Sequence, residues 1–374
     1  MIWLLWAITA WWAVAAVLAV LNAFLLPRLS EAVAEEPLPS MTVVIPARDE
    51  ERSIGRAVEA HCTQEYPGLQ VVVVDDGSTD ATPRILAQLQ RRFACLTVVQ
   101  GAPPPAGWLG KPHAQMEGLR AAQGELVLFA DADVVYAPGV HRRAAGEMTR
   151  GSLDMLLILS HLEGQGLEPL VLSFLDSFSF YCWPTFLGNV PSLKWAAFGA
   201  GSGNLVRREA LEAAGGMERI KGEVVDDIAM GRMMKGLRGR FRLVLAHGDV
   251  KVRMYEGFMG CIEGFTKNYY AAFRFNPMLA LTGVGLYGAL HVVPPLALAA
   301  ALVMPSASGL LPPSVVAVAA QLFLNGWACR FSRQPLWVAP LAPVRALVWG
   351  GILARSMARY YRRGVVWRGR VYGR

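Results

Sequence analysis

Acidic residues stop at Glu263 in this 374-residue chain. The segment beyond it carries Lys267, Arg274 and ten further arginines. Residues 1–263 hold 24 basic and 29 acidic side chains, so the net charge of +7 comes wholly from the C-terminal segment. No charge occurs in residues 2–26 either. That run is long enough to cross a hydrocarbon core of about 30 Å. It lacks a basic n-region and outruns an ordinary h-region, which argues for an uncleaved anchor over a cleaved signal peptide. The five cysteines show no paired spacing, which excludes a disulfide framework and a zinc site. His61, His113, His141, His161, His247 and His291 show no ligand spacing. No repeat or low-complexity tract is present. No nucleic-acid fold signature accompanies the basic segment, so its partner is anionic membrane lipid and not nucleic acid.

What is present is apolar: 54% of residues are hydrophobic and the mean hydropathy is +0.34. The excess lies at the two ends. Residues 278–303 and 311–329 are each long enough to span. The loop 304–310 is uncharged, whereas Arg330 and Arg333 follow the second run. The positive-inside rule puts the loop outside and the arginines inside. Residues 336–353 contain Pro340, Pro343 and Arg345 and precede a basic tail at 355–374. They read as a re-entrant or interfacial segment, because a third crossing would carry that tail outside.

Between the ends the pattern alternates. Residues 30–40 form a linker with Glu31, Glu35, Glu36, Pro37 and Pro39. Strands are expected at 41–45, 70–74, 96–99 and 126–130, with helices at 53–62, 81–92 and 111–123 between them. Alternation of this kind implies a mostly parallel sheet covered on both faces. Further on, 156–160, 241–246 and 250–254 read as strands. Residues 170–187, 207–214 and 227–237 read as helices. The domains expected are an anchor at 1–29, an α/β domain at 40–276 and a membrane region at 277–374.

Four carboxylate clusters fall beside these elements. Pro46-Ala47-Arg48-Asp49-Glu50 follows the first strand. Asp75-Asp76-Gly77-Ser78-Thr79-Asp80 follows the second. Asp131-Ala132-Asp133 follows the fourth. Asp226-Asp227 opens a late helix. Each alone suits a turn, a cap or a helix dipole. Four together are more than capping requires. Open α/β sheets bind ligands at the C-terminal ends of their strands. Paired carboxylates suit a hard divalent cation.

The strings Val44-Ile45-Pro46-Ala47-Arg48-Asp49-Glu50 and Val74-Asp75-Asp76-Gly77-Ser78-Thr79-Asp80 resemble the opening of family 2 glycosyltransferases, which have the GT-A fold. The resemblance extends to Gly107-Trp108-Leu109-Gly110-Lys111-Pro112, Asp131-Ala132-Asp133, Gly201-Ser202-Gly203-Asn204 and Asp226-Asp227. Gly264-Phe265-Thr266-Lys267-Asn268-Tyr269 and Trp367-Arg368-Gly369-Arg370 are similar to the membrane-bound subgroup that acts on lipids. That subgroup includes hopene-associated and carotenoid glycosyltransferases and, more distantly, ceramide glucosyltransferase.

The resemblance implies a cytoplasmic GT-A domain held by N- and C-terminal transmembrane helices in a bacterial-type inner or plasma membrane. It implies an inverting transfer of one sugar, glucose or N-acetylglucosamine, from a UDP-sugar to a membrane lipid. Hopanoids, carotenoids, sphingolipids and glycerolipids are the acceptors in view. It assigns Pro46, Arg48, Asp49, Glu50, Asp76, Lys111 and Asp131 to the nucleotide-sugar and Asp131 and Asp133 to Mg²⁺ or Mn²⁺. It assigns Gly201, Ser202, Gly203 and Asn204 to the acceptor or donor sugar, and Asp227 to the general base with Asp226 as the alternative. Lys111 stands open between a diphosphate contact and a solvated lysine at a helix start. No Gln/Arg-x-x-Arg-Trp sequence follows Asp227, which argues against polymer synthesis. Asp226 stands where the family usually has Glu. Two other readings remain: a polyprenyl-phosphate sugar transferase and a nucleotide-sugar-binding scaffold without turnover. The aromatic stretch Tyr255, Phe258, Phe265, Tyr269, Tyr270, Phe273 and Phe275 reads as an interfacial belt or a lipid channel wall.

Overall fold

The computed structural model describes residues 2–31, 36–236, 240–363, 365–367 and 370–372. Glu35, Leu237, Arg368 and Gly369, used above, lie outside them, as do the side chains of Asn268, Trp367 and Arg370. In chain order the elements begin with α1 (Ile2–Leu25), β1 (Met41–Ala47), α2 (Ile54–Cys62), β2 (Leu69–Asp75), α3 (Thr82–Arg92), β3 (Leu96–Gln100), α4 (Gly110–Ala121) and β4 (Leu126–Phe129). Then come β5 (Val134–Tyr136), α5 (Val140–Arg150), β6 (Met155–Leu159), β7 (His161–Leu162), α6 (Glu168–Ser177), β8 (Asn204–Arg207), α7 (Arg208–Ala213), α8 (Asp226–Gly236), β9 (Phe241–Leu245) and β10 (Val250–Val252). The last are α9 (Phe258–Ala272), α10 (Pro277–Val303), α11 (Leu311–Ser332), α12 (Ala342–Arg363) and the short strands β11 (Val365–Trp367) and β12 (Arg370–Tyr372). The chain divides into two compact units. One is Leu26–Glu163 with Leu187–Met254; the other is Met1–Leu25, Gly164–Phe186 and Tyr255–Arg374.

The first unit is built on a seven-stranded sheet of order β3-β2-β1-β4-β8-β6-β9. Strand β8 runs antiparallel to both of its neighbours, and the remaining pairs are parallel. This is a GT-A-like mixed sheet. Strands β1 and β2 read as unbroken apolar runs because both faces are covered. On one face Val43, Ile45, Val71 and Val73 pack with Ile54, Val58, Leu86 and Met148. On the other, Val72 and Val74 meet Ala114 of α4. Helix α4 lies very close to the sheet: a Cβ on Gly118 would stand 2.4 Å from Val44 Cγ1. That approach fixes where the first turn of α4 delivers its side chains. A second small sheet, β5-β10-β7, completes the unit.

Strand β8 is where the structure departs most from the sequence reading. Arg207 belongs to this strand, and the helix expected at 207–214 starts one residue later. Strands β5 and β7 were not expected either, being only three and two residues long.

The second unit is helical. Among the described residues, Ile2–Leu25, Pro277–Val303 and Pro305–Ser332 are long and apolar enough to cross a membrane. Helix α10 is continuous through Pro294 and Pro295. The stretch expected as one helix at 170–187 is broken instead. It runs as α6, a π-turn at Phe178–Cys182 and a 3₁₀ turn at Thr185–Asn189. Trp183 is extended, as the residue before Pro184 must be. Asn22 satisfies the backbone this break frees. Its Nδ2 donates to the carbonyls of Phe180 and Trp183, both at 2.8 Å, and its Oδ1 accepts from Phe186 N at 2.9 Å. That accounts for one polar residue within an apolar run.

Arg345 of α12 is fully buried. It donates to Ser173 Oγ at 3.1 Å and to Asn325 Oδ1 at 2.5 Å. The aromatic stretch turns largely inward within this unit. Phe265 and Tyr269 pack on Trp349, and Tyr270 and Phe275 on Tyr360.

Candidate functional site

The first part of the site joins the loops after β1 and β2. Pro46 is tolerated in a central strand because Val44 O is the last β1 carbonyl to meet β4, accepting from Ala130 N at 3.1 Å. Pro46 faces the same side two residues on, past the end of β4. Asp76 N donates to Ala47 O at 2.8 Å. Arg48 Nη1 donates to Asp76 O at 2.8 Å and lies 3.6 Å from Asp76 Oδ2. Asp49 has φ 52°, a left-handed conformation that Asp tolerates. Its Oδ1 accepts from Thr79 N at 2.7 Å and from Thr79 Oγ1 at 3.2 Å. Asp49 thus braces one loop against the other. Glu50 is held by its N–H donating to Thr82 Oγ1 at 2.8 Å, and its Oε2 accepts from Ser53 Oγ at 3.0 Å.

The second part gathers residues far apart in sequence. Lys111, in the first turn of α4, places Nζ 2.8 Å from Asp131 Oδ1 and 3.3 Å from Asp226 Oδ1. It is therefore no solvated surface lysine. Leu109 N donates to Lys221 O at 2.8 Å, which ties the loop before α4 to the segment before α8. Gln115 Nε2 donates to Asp226 Oδ2 at 2.9 Å. Asp227 Oδ1 accepts from Ile228 N at 2.8 Å.

Electrostatics links these groups into one chain. Burial opposes the charge on Lys111, but Asp131, Asp226 and Asp227 outweigh it and hold its pKa well above the usual lysine value. Burial pushes Asp133 up to about 7, with Asp131 and then Glu50 adding repulsion. Burial and then Asp226 push Asp227 up to about 6, against the pull of Lys111. Glu50, Asp133, Asp131, Lys111, Asp226 and Asp227 thus form one field at the strand ends.

Asp131 and Asp133 fit a hard divalent cation. Among the described residues Asp133 Oδ1 is buried with no hydrogen-bond partner. A cation there would relieve the repulsion from Asp131 and Glu50. No group of three or more His, Cys, Asp or Glu ligands occurs among the described residues. A bound ion would take its remaining oxygens from a ligand or water, as Mg²⁺ does with substrate phosphates.

The Gly201-Ser202-Gly203-Asn204 string contributes backbone, not side chains. Asp131 N donates to Gly201 O at 2.9 Å. A Cβ on Gly201 would fall 2.0 Å from Asp131 Oδ2, so any other residue would force the Asp131 side chain to move. Ser202 Oγ turns inward to donate to Ile158 O at 2.8 Å. Asn204 is 2% exposed within β8. Asn204 Oδ1 has no hydrogen-bond partner among the described residues. Gln115 and Tyr136 were missed. Tyr136 OH donates to Ser202 O at 2.6 Å and supports the backbone beside Asp131. Gln115 follows Lys111 by four residues, a spacing that puts both on one helix face and was readable beforehand.

Residues 42–215 match the model of the family described as Glycosyl transferase family 2. Asp226 and Asp227 lie just beyond that span. The chain is 31% identical over 237 residues to a beta-monoglucosyldiacylglycerol synthase of Synechocystis sp., covering 57% of this chain and 45% of that protein. It is 28% identical over 243 residues to a 4,4'-diaponeurosporenoate glycosyltransferase of Staphylococcus aureus, covering 61% and 60%. The matched part thus spans about half the length of the diacylglycerol-directed relatives. Among solved structures it is similar to a mannosyltransferase from Pyrobaculum calidifontis in complex with GDP-Man and Mn²⁺. That likeness has a TM-score of 0.53 at 20% identity and covers 96% of this chain and 99% of the other.

Proposed function

We propose, from the match of residues 42–215 to the family 2 glycosyltransferase model, that this chain moves one hexose from a UDP-sugar to a hydroxyl or carboxyl of a membrane lipid. The observation that carries the reading is the run of carboxylates through Lys111 at the strand ends, in a chain with three membrane-length helices among its described residues. The names of the curated relatives, which refer to a diacylglycerol glycolipid and a carotenoid acid, support a lipid acceptor. The domain faces the cytoplasm in this reading, as the segregated positive charge favours.

Glu50 and Asp76 take the nucleotide, with Arg48 holding Asp76 in place. Asp131 and Asp133 would hold Mg²⁺ or Mn²⁺, which when bound neutralises charge developing on the leaving diphosphate. Asp227 takes the acceptor proton. Asp226 is already engaged by Lys111 and Gln115, whereas burial keeps Asp227 at a pKa suited to a base near neutral pH. The acceptor oxygen bonds to the anomeric carbon as the bond to the diphosphate oxygen breaks, and UDP leaves with that electron pair. One displacement inverts the centre, so an α-linked donor yields a β-glycoside.

A polyprenyl-phosphate acceptor is less well supported. It calls for several basic side chains near Asp227; only Lys221, which already lies 2.5 Å from Glu218 Oε1, and the exposed Arg232 are close in sequence. The test is mass spectrometry of lipids from cells with and without the chain, using labelled UDP-glucose and UDP-N-acetylglucosamine. A labelled neutral glycolipid that depends on Asp227 is expected. Label found only on polyprenyl phosphate, or on no lipid, would overturn the reading.

A further inference from the structure

We propose that Lys111 is a tethered cation that competes with the divalent metal for Asp131, so that metal binds well only together with a diphosphate. This rests on the reading that Asp131 and Asp133 hold the metal. The two carboxylates stand in different conditions. Asp131 Oδ1 already has an ammonium 2.8 Å away, whereas Asp133 Oδ1 is buried with no hydrogen-bond partner among the described residues. A divalent ion on Asp131 would meet the Lys111 charge at close range, in a half-buried setting where such repulsion is large.

The backbone cannot relieve that conflict. Helix α4 is held to β1 by the close approach at Gly118, and its leading loop is held by the bond from Leu109 N to Lys221 O at 2.8 Å. Relief has to come from side chains, and that of Lys111 is the long flexible one. Besides Asp131 it has Asp226 Oδ1 at 3.3 Å and, further off, Asp227, but Asp226 also accepts from Gln115. A diphosphate brings fresh negative charge that takes up the ammonium as the metal arrives. Lys111 thus makes metal entry conditional on nucleotide. Without nucleotide it fills the cation's electrostatic place and keeps Asp131 and Asp226 from repelling one another.

The test is Mn²⁺ titration of the full chain in detergent, followed by electron paramagnetic resonance, with and without UDP. For the wild type, weak binding alone and a marked gain with UDP are expected. Lys111→Met should tighten Mn²⁺ binding without nucleotide by about tenfold or more, the scale of removing a unit charge a few ångströms away. Its gain from UDP should shrink. Lys111→Arg keeps the charge and should stay near wild type. Mn²⁺ should also raise the melting temperature of Lys111→Met more than that of the wild type. Equal or weaker Mn²⁺ binding by Lys111→Met, where the wild type binds Mn²⁺ and Asp133→Asn loses it, overturns the lysine role and leaves the metal reading standing. Absence of Mn²⁺ binding in every variant, with or without UDP, overturns both.

Discussion

Gln115 donates to Asp226 Oδ2 at 2.9 Å, and Lys111 approaches Oδ1 of the same carboxylate at 3.3 Å. Both oxygens of Asp226 are therefore committed. Its neighbour Asp227 accepts one hydrogen bond among the described residues, from Ile228 N. In the proposed reading the two adjacent carboxylates divide structure and chemistry between them, Asp226 held in place and Asp227 acting as the base.

Substitution should expose that division. Asp227→Asn should lower turnover by roughly 10²–10⁴, the usual contribution of a general base. UDP affinity should stay near wild type. Asp226→Asn removes the negative charge facing Lys111 and should change Mn²⁺ and UDP binding as well as turnover. Steady-state kinetics with isothermal titration of UDP separates the two. If Asp227→Asn lost UDP affinity and kept its turnover at saturating donor, Asp226 would become the candidate base.

The parallel half of the sheet was legible because each of its elements signals itself locally. Strands β1 and β2 are buried on both faces and read as apolar runs. Asp131 and Asp133 were legible for the same reason, at the end of a buried strand. Strand β8 was not. Its four residues follow a glycine-rich stretch, and what defines them is pairing with β4 and β6, which are distant in sequence. The role of Gly201 as a backbone contact to Asp131 depends on that pairing. So does the bond from Ser202 Oγ to Ile158 O.

Gly201→Ala tests the close approach at the junction. Its methyl group would overlap Asp131 Oδ2, and overpacking of this kind typically costs about 1–3 kcal/mol. Asp131 must move or β8 must shift. Activity should fall at least about tenfold, the kinetic equivalent of roughly 1.4 kcal/mol. Circular dichroism should remain close to wild type. Full activity in Gly201→Ala would show that Asp131 has room to spare.

A buried histidine pair gives the sheet unit an acid limit. His61 Nδ1 lies 3.1 Å from His141 Nε2, and both rings pack on Tyr136. Burial lowers the His61 pKa to about 3 and, with His61, lowers that of His141 well below the ordinary value. The folded state therefore resists protons that the unfolded chain accepts near pH 6.5. Their contribution is full above that value and is lost as pH falls toward 3. Urea unfolding between pH 7.5 and 5 should show stability falling with pH. His61→Asn should flatten the slope. An unchanged slope in that variant would place the acid sensitivity elsewhere.

The charge distribution predicts which side of the membrane holds the C-terminal end. A single reactive cysteine placed by Tyr372→Cys, with the native cysteines removed, should be labelled by an impermeant maleimide only after the membrane is opened. Labelling in intact cells would mean that residues 336–353 cross the bilayer.

The reversal at β8 also sets an order of assembly. Phe129 of β4 pairs with Asn204, far along the chain. The loops carrying Asp49, Glu50 and Asp76 belong to consecutive strand-helix-strand units that close within short stretches. The Asp131–Gly201 junction closes only after the long excursion between them has been made, and such non-local pairings form slowly. During synthesis the half of the sheet carrying Asp49, Glu50 and Asp76 can form from residues already made. The junction beside Asp131 and Asp133 has to wait for the ribosome to pass residue 204. A polypeptide released early would carry the first half of the site without the second.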